Sequence, residues 1–237
     1  MVTAQAPSQP ITGAESTEVA SGPPSAVKYA AEAIGTFFLV FTVGAAVGSG
    51  SQFAPLAIGA VLMVMVYAGG HISGGHYNPA VTLAVLVRRR IAVRDALMYW
   101  IVQFGAGLLA AAVVRGIVDP AQATKAVTMT LTGHALVAAF VVEMLFTFAL
   151  CYVVLNVATS KSHPDNSYFG LAIGFTVLAG AFAVGAISGG AFNPSVTIGA
   201  AVMGMFAWPT LWVYLVAQVI AGAAAGITFR ALNPDDK

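Results

Sequence analysis

Charge is what this sequence of 237 residues has least of: Asp, Glu, Lys and Arg together make up 8% of it, against about a quarter in ordinary soluble domains. With 59% hydrophobic residues and a mean hydropathy of +0.86, a water-soluble globule is excluded and an integral membrane protein is expected. The formal net charge is only +1 and no basic stripe interleaves with aromatics, so nucleic acid is not a partner. A single cysteine, Cys151, excludes an intrachain disulfide and a cysteine metal site; its apolar setting reads as a buried structural thiol. No cofactor or metal is expected. The first residues also lack the basic start and apolar run of a signal peptide. Residues 1–26, rich in Ala, Ser, Thr, Pro and Gly and carrying Glu15 and Glu18, read as a disordered tail.

What is present is long apolar sequence. No residue from Ala33 to Val87, or from Asn166 to Phe229, is Asp, Glu, Lys or Arg. A spanning helix needs roughly 20 apolar residues, so each block holds two spans and a remainder. Six spans are predicted at about 28–50, 54–72, 95–117, 134–157, 167–186 and 208–231. Arg88, Arg89, Arg90 and Arg94, then Lys161, and Lys28, Arg230 and Lys237 near the ends all fall on one side of that topology, with only Arg115 and Lys125 on the other. The positive-inside rule makes the first set, and both termini, cytoplasmic.

The remainder in each block carries the same motif. Ile72-Ser73-Gly74-Gly75-His76-Tyr77-Asn78-Pro79-Ala80-Val81-Thr82 is matched 115 residues later by Ile187-Ser188-Gly189-Gly190-Ala191-Phe192-Asn193-Pro194-Ser195-Val196-Thr197, with eight of eleven positions identical. Asn before Pro and an apolar run is a helix start: Asn caps, and Pro is preorganised for the first helical position. Tyr99, Gln103 and Gly107 repeat at the same offset as Tyr214, Gln218 and Gly222, and Glu32 answers Glu143 at an offset of 111. Each half (repeat 1 about 28–118, repeat 2 about 134–232) is thus three spans plus one motif. Three is odd, so the halves cross the membrane in opposite senses, the inverted-repeat plan.

Irregular backbone is tolerated at membrane depth only inside protein or beside a watery cavity. The two motifs are therefore predicted to be re-entrant loops ending in short helices at about 79–88 and 194–205, entering from opposite faces and meeting near the midplane. Two helix N-termini at one point bring about half a positive charge each. Anion binding is one outcome. The other follows if each Asn caps its own helix through its side-chain oxygen and presents its NH₂ inward: neutral donors in a positive field, acceptable to water or a small hydroxyl compound and forbidding to cations.

This combination resembles the aquaporins, the major intrinsic protein family, over about residues 28–232, the channel domain. The resemblance implies an all-α membrane protein with six transmembrane helices and two re-entrant half-helices, a pore in each subunit, a homotetramer in the lipid bilayer, no enzymatic activity, and passive flow of water and small neutral solutes. Asn78, Pro79, Ala80 and Asn193, Pro194, Ser195 hold the signature positions. The second copy departs from the usual Asn-Pro-Ala-Arg: Ser195 replaces Ala, and Val196 replaces the Arg of the narrow filter. Family spacing puts the other filter positions at Ile58, Ala181 and Gly190, with Phe182 in place of Ala181 if the alignment has a gap there. That filter has neither charge nor His and resembles some tonoplast intrinsic proteins. A wider, more apolar constriction is expected to admit glycerol, urea, ammonia or hydrogen peroxide as well as water, and the lost Arg to weaken the barrier to protons. The cell (inner or plasma) membrane is the expected location.

Other residues have competing readings. Glu32 and Glu143 are intramembrane acids and so candidates for proton carriage; the resemblance instead gives them a bracing role, holding the loops through backbone N–H bonds. Gln103 and Gln218 read as polar groups of helix packing that share this bracing. His71 and His76 could gate by titration, but Ala191 stands where a symmetric partner of His76 would be, favouring local hydrogen bonding. Ser195 lacks the partners of a nucleophile. A coupled secondary transporter would share the inverted repeat and broken helices but would need ion ligands or a protonatable residue on the path. A structural membrane protein with little conduction would need adhesive features that the sequence does not show.

Overall fold

A computed structural model describes residues 23–118 and 128–236. Six helices are long and apolar enough to cross a membrane: α1 (Ser25–Gly48), α2 (Ala54–Ser73), α4 (Val93–Val113, continued by a π turn, Val114–Val118), α5 (Gly133–Thr159), α6 (Phe169–Ser188) and α8 (Leu211–Leu232, entered by a 3₁₀ turn, Trp208–Thr210). Two short helices, α3 (Pro79–Val87) and α7 (Pro194–Val202), stand between them. All are helices for one reason: in hydrocarbon each backbone N–H and C=O must be satisfied within its own segment. α1 begins at Ser25, within the stretch 1–26 expected to be a tail; residues 1–22, Lys125 and Lys237 lie outside the described residues. The half-helices end one and three residues before the expected 88 and 205.

The packing is that of two like halves. α1 packs on α2 and α4 just as α5 packs on α6 and α8, and each half-helix packs on the last span of the other half, α3 on α8 and α7 on α4. The halves meet where α2 crosses α6. There Gly59 and Gly174, repeat mates, face one another: a Cβ on Gly59 would lie 2.8 Å from the Gly174 carbonyl oxygen, and one on Gly174 would lie 2.5 Å from that of Gly59. Likewise Gly107 admits the Ser195 carbonyl and Gly222 that of Ala80, seating each half-helix against its span. The offset of 111 at the glutamates also has a cause. The link between α5 and α6 spans residues 160–168, four more than the 49–53 link between α1 and α2.

At the arginine-rich face the chain end folds back. Arg88, buried at the C-terminus of α3, places its guanidinium over the Phe229 ring at 4.3 Å and donates to Asp236 at 2.7 Å. Arg90 donates to the same oxygen at 3.3 Å, and the Lys161 N–H donates to the other at 2.9 Å. Burial raises the Asp236 pKa, but the bonds from Lys161, Ser160 and Arg88, with the Arg88 charge, outweigh it and hold the carboxyl below its ordinary value.

Candidate functional site

Both re-entrant loops are built the same way. α2 and α6 end at Gly74 and Gly189, with φ of +90° and +88°, a left-handed turn that sends the chain back into the membrane. Four donors then converge on one acid. The Ser73 hydroxyl (2.7 Å) and His76 N–H (2.9 Å) donate to one oxygen of Glu32, and the Tyr77 N–H (2.7 Å) and Gln103 Nε2 (2.8 Å) to the other. In the second half Ser188, Ala191, Phe192 and Gln218 donate to Glu143 at 2.7, 2.9, 2.8 and 3.0 Å. The glutamates are fully buried, and neither lines the cavity between the loops. Each glutamine joins its acid to the half-helix, donating also to Thr82 (3.0 Å) or Thr197 (2.9 Å).

Next in each loop comes a bulky residue in the left-handed region, Tyr77 at φ +47° and Phe192 at φ +49°, a costly conformation for an aromatic residue. Its carbonyl accepts from a specific donor. Asn78 Nδ2 donates to the Phe192 carbonyl and Asn193 Nδ2 to that of Tyr77, both at 2.9 Å. The side-chain oxygens meanwhile cap their own helices, from Ala80 N–H at 2.8 Å and Ser195 N–H at 2.9 Å. Each NH₂, expected to face inward, divides its two hydrogens. One amide hydrogen is committed across the midplane, and the other is left for the cavity that both asparagines line.

That cavity has a volume of about 600 Å³. The structure places Ile58, Ala181, Gly190 and Val196 on its wall, whereas Phe182 is 56% exposed on the outside. Ala181 and Gly190 are neighbours, a Cβ on Gly190 lying 3.3 Å from the Ala181 Cα. Asn193, Val196, Ala200 and Met203 follow one another along the lining face of α7, at the three- and four-residue spacing of a single helix face. A second cavity, of about 470 Å³, opens at the arginine-rich face and shares His76 and Val154 with the first. His76 therefore sits at the join, its Nδ1 3.0 Å from the Thr82 hydroxyl and its ring 5.2 Å from that of Tyr99.

Two lining features escaped the sequence reading. Arg115 lies at the mouth opposite the arginine-rich face and donates to the Val202 carbonyl at 2.7 Å, complementing the C-terminus of α7; being one of only two basic residues expected on that side was the available clue. The second is the group of methionines beside it. His71 is exposed, and the buried Ser195 hydroxyl has no hydrogen-bond partner among the described residues. Among the described residues no group of three or more His, Cys, Asp or Glu is placed to hold a metal.

Comparison with known proteins agrees with this geometry. The family model described as "Major intrinsic protein" matches residues 20–229. A glycerol uptake facilitator protein-like 6 of Lactiplantibacillus plantarum is 38% identical over 216 residues, covering 88% of this chain and 99% of that protein. Aquaporin NIP2-1 of Oryza sativa subsp. japonica is 36% identical over 220 residues, covering 88% and 71%. Among solved structures, the aquaglyceroporin from Plasmodium falciparum superposes with a TM-score of 0.73 over 89% of this chain and 98% of that one, at 19% identity, a likeness of fold. The likeness to tonoplast intrinsic proteins rests on the filter positions alone.

Proposed function

From the chain's membership of the major intrinsic protein family we infer a passive membrane channel for water and small uncharged solutes. One observation carries the reading: two Asn-capped half-helices of opposite sense are tied to each other at the head of a cavity whose wall, at Ile58, Ala181, Gly190 and Val196, bears no charged side chain. A neutral molecule that gives and accepts hydrogen bonds can exchange water for the free amide hydrogens of Asn78 and Asn193. A cation meets two helix N-termini and finds nothing to replace its hydration.

Glycerol, urea, ammonia and hydrogen peroxide are the solutes that suit an open apolar filter. Glu32 and Glu143 act as braces rather than proton carriers, because each already has both oxygens engaged by loop donors. This takes the two intramembrane acids off the path as the protonatable groups that coupled transport would use. Arg88, Arg89, Arg90 and Arg94 mark the cytoplasmic face of a cell membrane, and the termini share it. Apolar side chains exposed on the outside, such as Phe38, Leu109, Leu145 and Ile220, supply lipid contact and the faces of a homotetramer.

Stopped-flow light scattering on proteoliposomes tests the reading, with Val196→Arg measured in parallel. Wild type is expected to pass water and at least one of glycerol, urea and ammonia, and Val196→Arg to cut solute flux by about tenfold, the effect of roughly 1.4 kcal/mol on a barrier, while water still passes. Wild-type rates no higher than those of empty liposomes would overturn it.

A further inference from the structure

Three of the chain's eight methionines, Met129, Met203 and Met205, line the mouth of the cavity opposite the arginine-rich face. Met203 lies two helical turns beyond Val196 on the lining face of α7, about 10 Å along its axis. Met129 and Met205 are fastened together, the Met129 N–H donating to the Met205 carbonyl at 2.8 Å. The Met129 sulfur lies 3.6 Å from the Tyr214 hydroxyl, whose hydrogen is donated to the Ser188 carbonyl at 2.7 Å, and the Tyr214 ring stacks on Phe206, another lining residue. Met203 packs its sulfur against Gly44, in the place an added Cβ would take, with Val114 beside it. The methionines at 63, 65, 98 and 144 do not line the cavity.

Among the described residues a thioether is the one readily oxidised group lining this mouth, and a small uncharged peroxide is among the solutes proposed for the channel. We propose that Met129, Met203 and Met205 are an oxidation site for hydrogen peroxide entering this mouth, and that their conversion to sulfoxides restricts passage. The reaction needs nothing further. A sulfur lone pair takes one peroxide oxygen, the O–O bond breaks as the S–O bond forms, and the departing hydroxide takes up the remaining peroxide proton as water. Sulfur is oxidised by two electrons and the peroxide is reduced. A flexible apolar chain becomes a polar one.

The inference rests on the channel reading, and the test separates the two. Wild-type proteoliposomes are exposed to hydrogen peroxide, oxygen gain at each methionine is followed by peptide mass spectrometry, and water permeability is measured on the same samples. Met129, Met203 and Met205 are expected to be modified several-fold faster than Met98 and Met144, which do not line the cavity. Permeability is expected to fall about twofold or more as they are modified and to recover with methionine sulfoxide reductases A and B. The triple variant Met129→Leu, Met203→Leu and Met205→Leu, judged against its own rate before peroxide, is expected not to respond. Equal modification of Met98 and Met144, or unchanged permeability once the three are converted, overturns the proposal. If untreated wild type does not conduct, the channel reading falls, and the mass pattern still decides the oxidation site.

Discussion

Glu32 and Glu143 each accept four hydrogen bonds, two of them from backbone N–H groups that have no other partner inside the membrane. Replacing either by Gln keeps the shape but turns an NH₂ toward donors, leaving N–H groups unsatisfied. Glu32→Gln and Glu143→Gln are expected to cost about 2–4 kcal/mol each, seen as lower thermal unfolding temperatures in detergent. Retained stability with lost conduction would instead mark the acid as part of the path. Val196 carries the opposite kind of prediction, one of flux without folding. With valine rather than arginine at position 196 of the wall, a pH-sensitive dye inside liposomes should report faster proton entry for wild type than for Val196→Arg, and equal rates would show that an arginine at this position does not set the barrier.

The crossing of α2 and α6 depends on hydrogen atoms where other residues have side chains. Gly59→Ala would set its new carbon 2.6 Å from the Leu178 Cβ as well as against the Gly174 carbonyl, so the helices must part. A loss of about 1–3 kcal/mol is expected, measurable by chemical unfolding in detergent. The docked chain end is a separate element-scale contact. Asp236→Asn leaves Arg88, 3% exposed, without its counter-charge and should cost about 1–3 kcal/mol. Because the Asp236 pKa is lowered on docking, the contact is fully present above the ordinary carboxylate value and is lost as pH falls through the depressed one; protection of the terminal residues from carboxypeptidase should fall in that acid range. The spans and half-helices were legible beforehand because hydrophobic length and an Asn-Pro start are local signals, repeated at Asn78 and Asn193. The π turn at Val114–Val118, the contact of Arg88 with Asp236 and the left-handed Tyr77 and Phe192 were not. Each is imposed by a partner distant in sequence, and no residue type announces it.

For the whole molecule, the pathway is a passage without a carrier's two states, so osmotic swelling and shrinking of the same proteoliposomes should give equal permeabilities; a persistent difference would indicate a gate. The two halves are also less independent than their similarity suggests. Asn78 completes the loop of the second half and Asn193 that of the first, and each half-helix rests on a span of the opposite half. During biosynthesis this makes the midplane a check on insertion. A chain whose second half entered with the wrong sense would leave two amide groups and two carbonyls unpaired in hydrocarbon, at several kcal/mol for each group. Topological errors are thereby converted into instability, a signal that membrane quality control can read without recognising the pore.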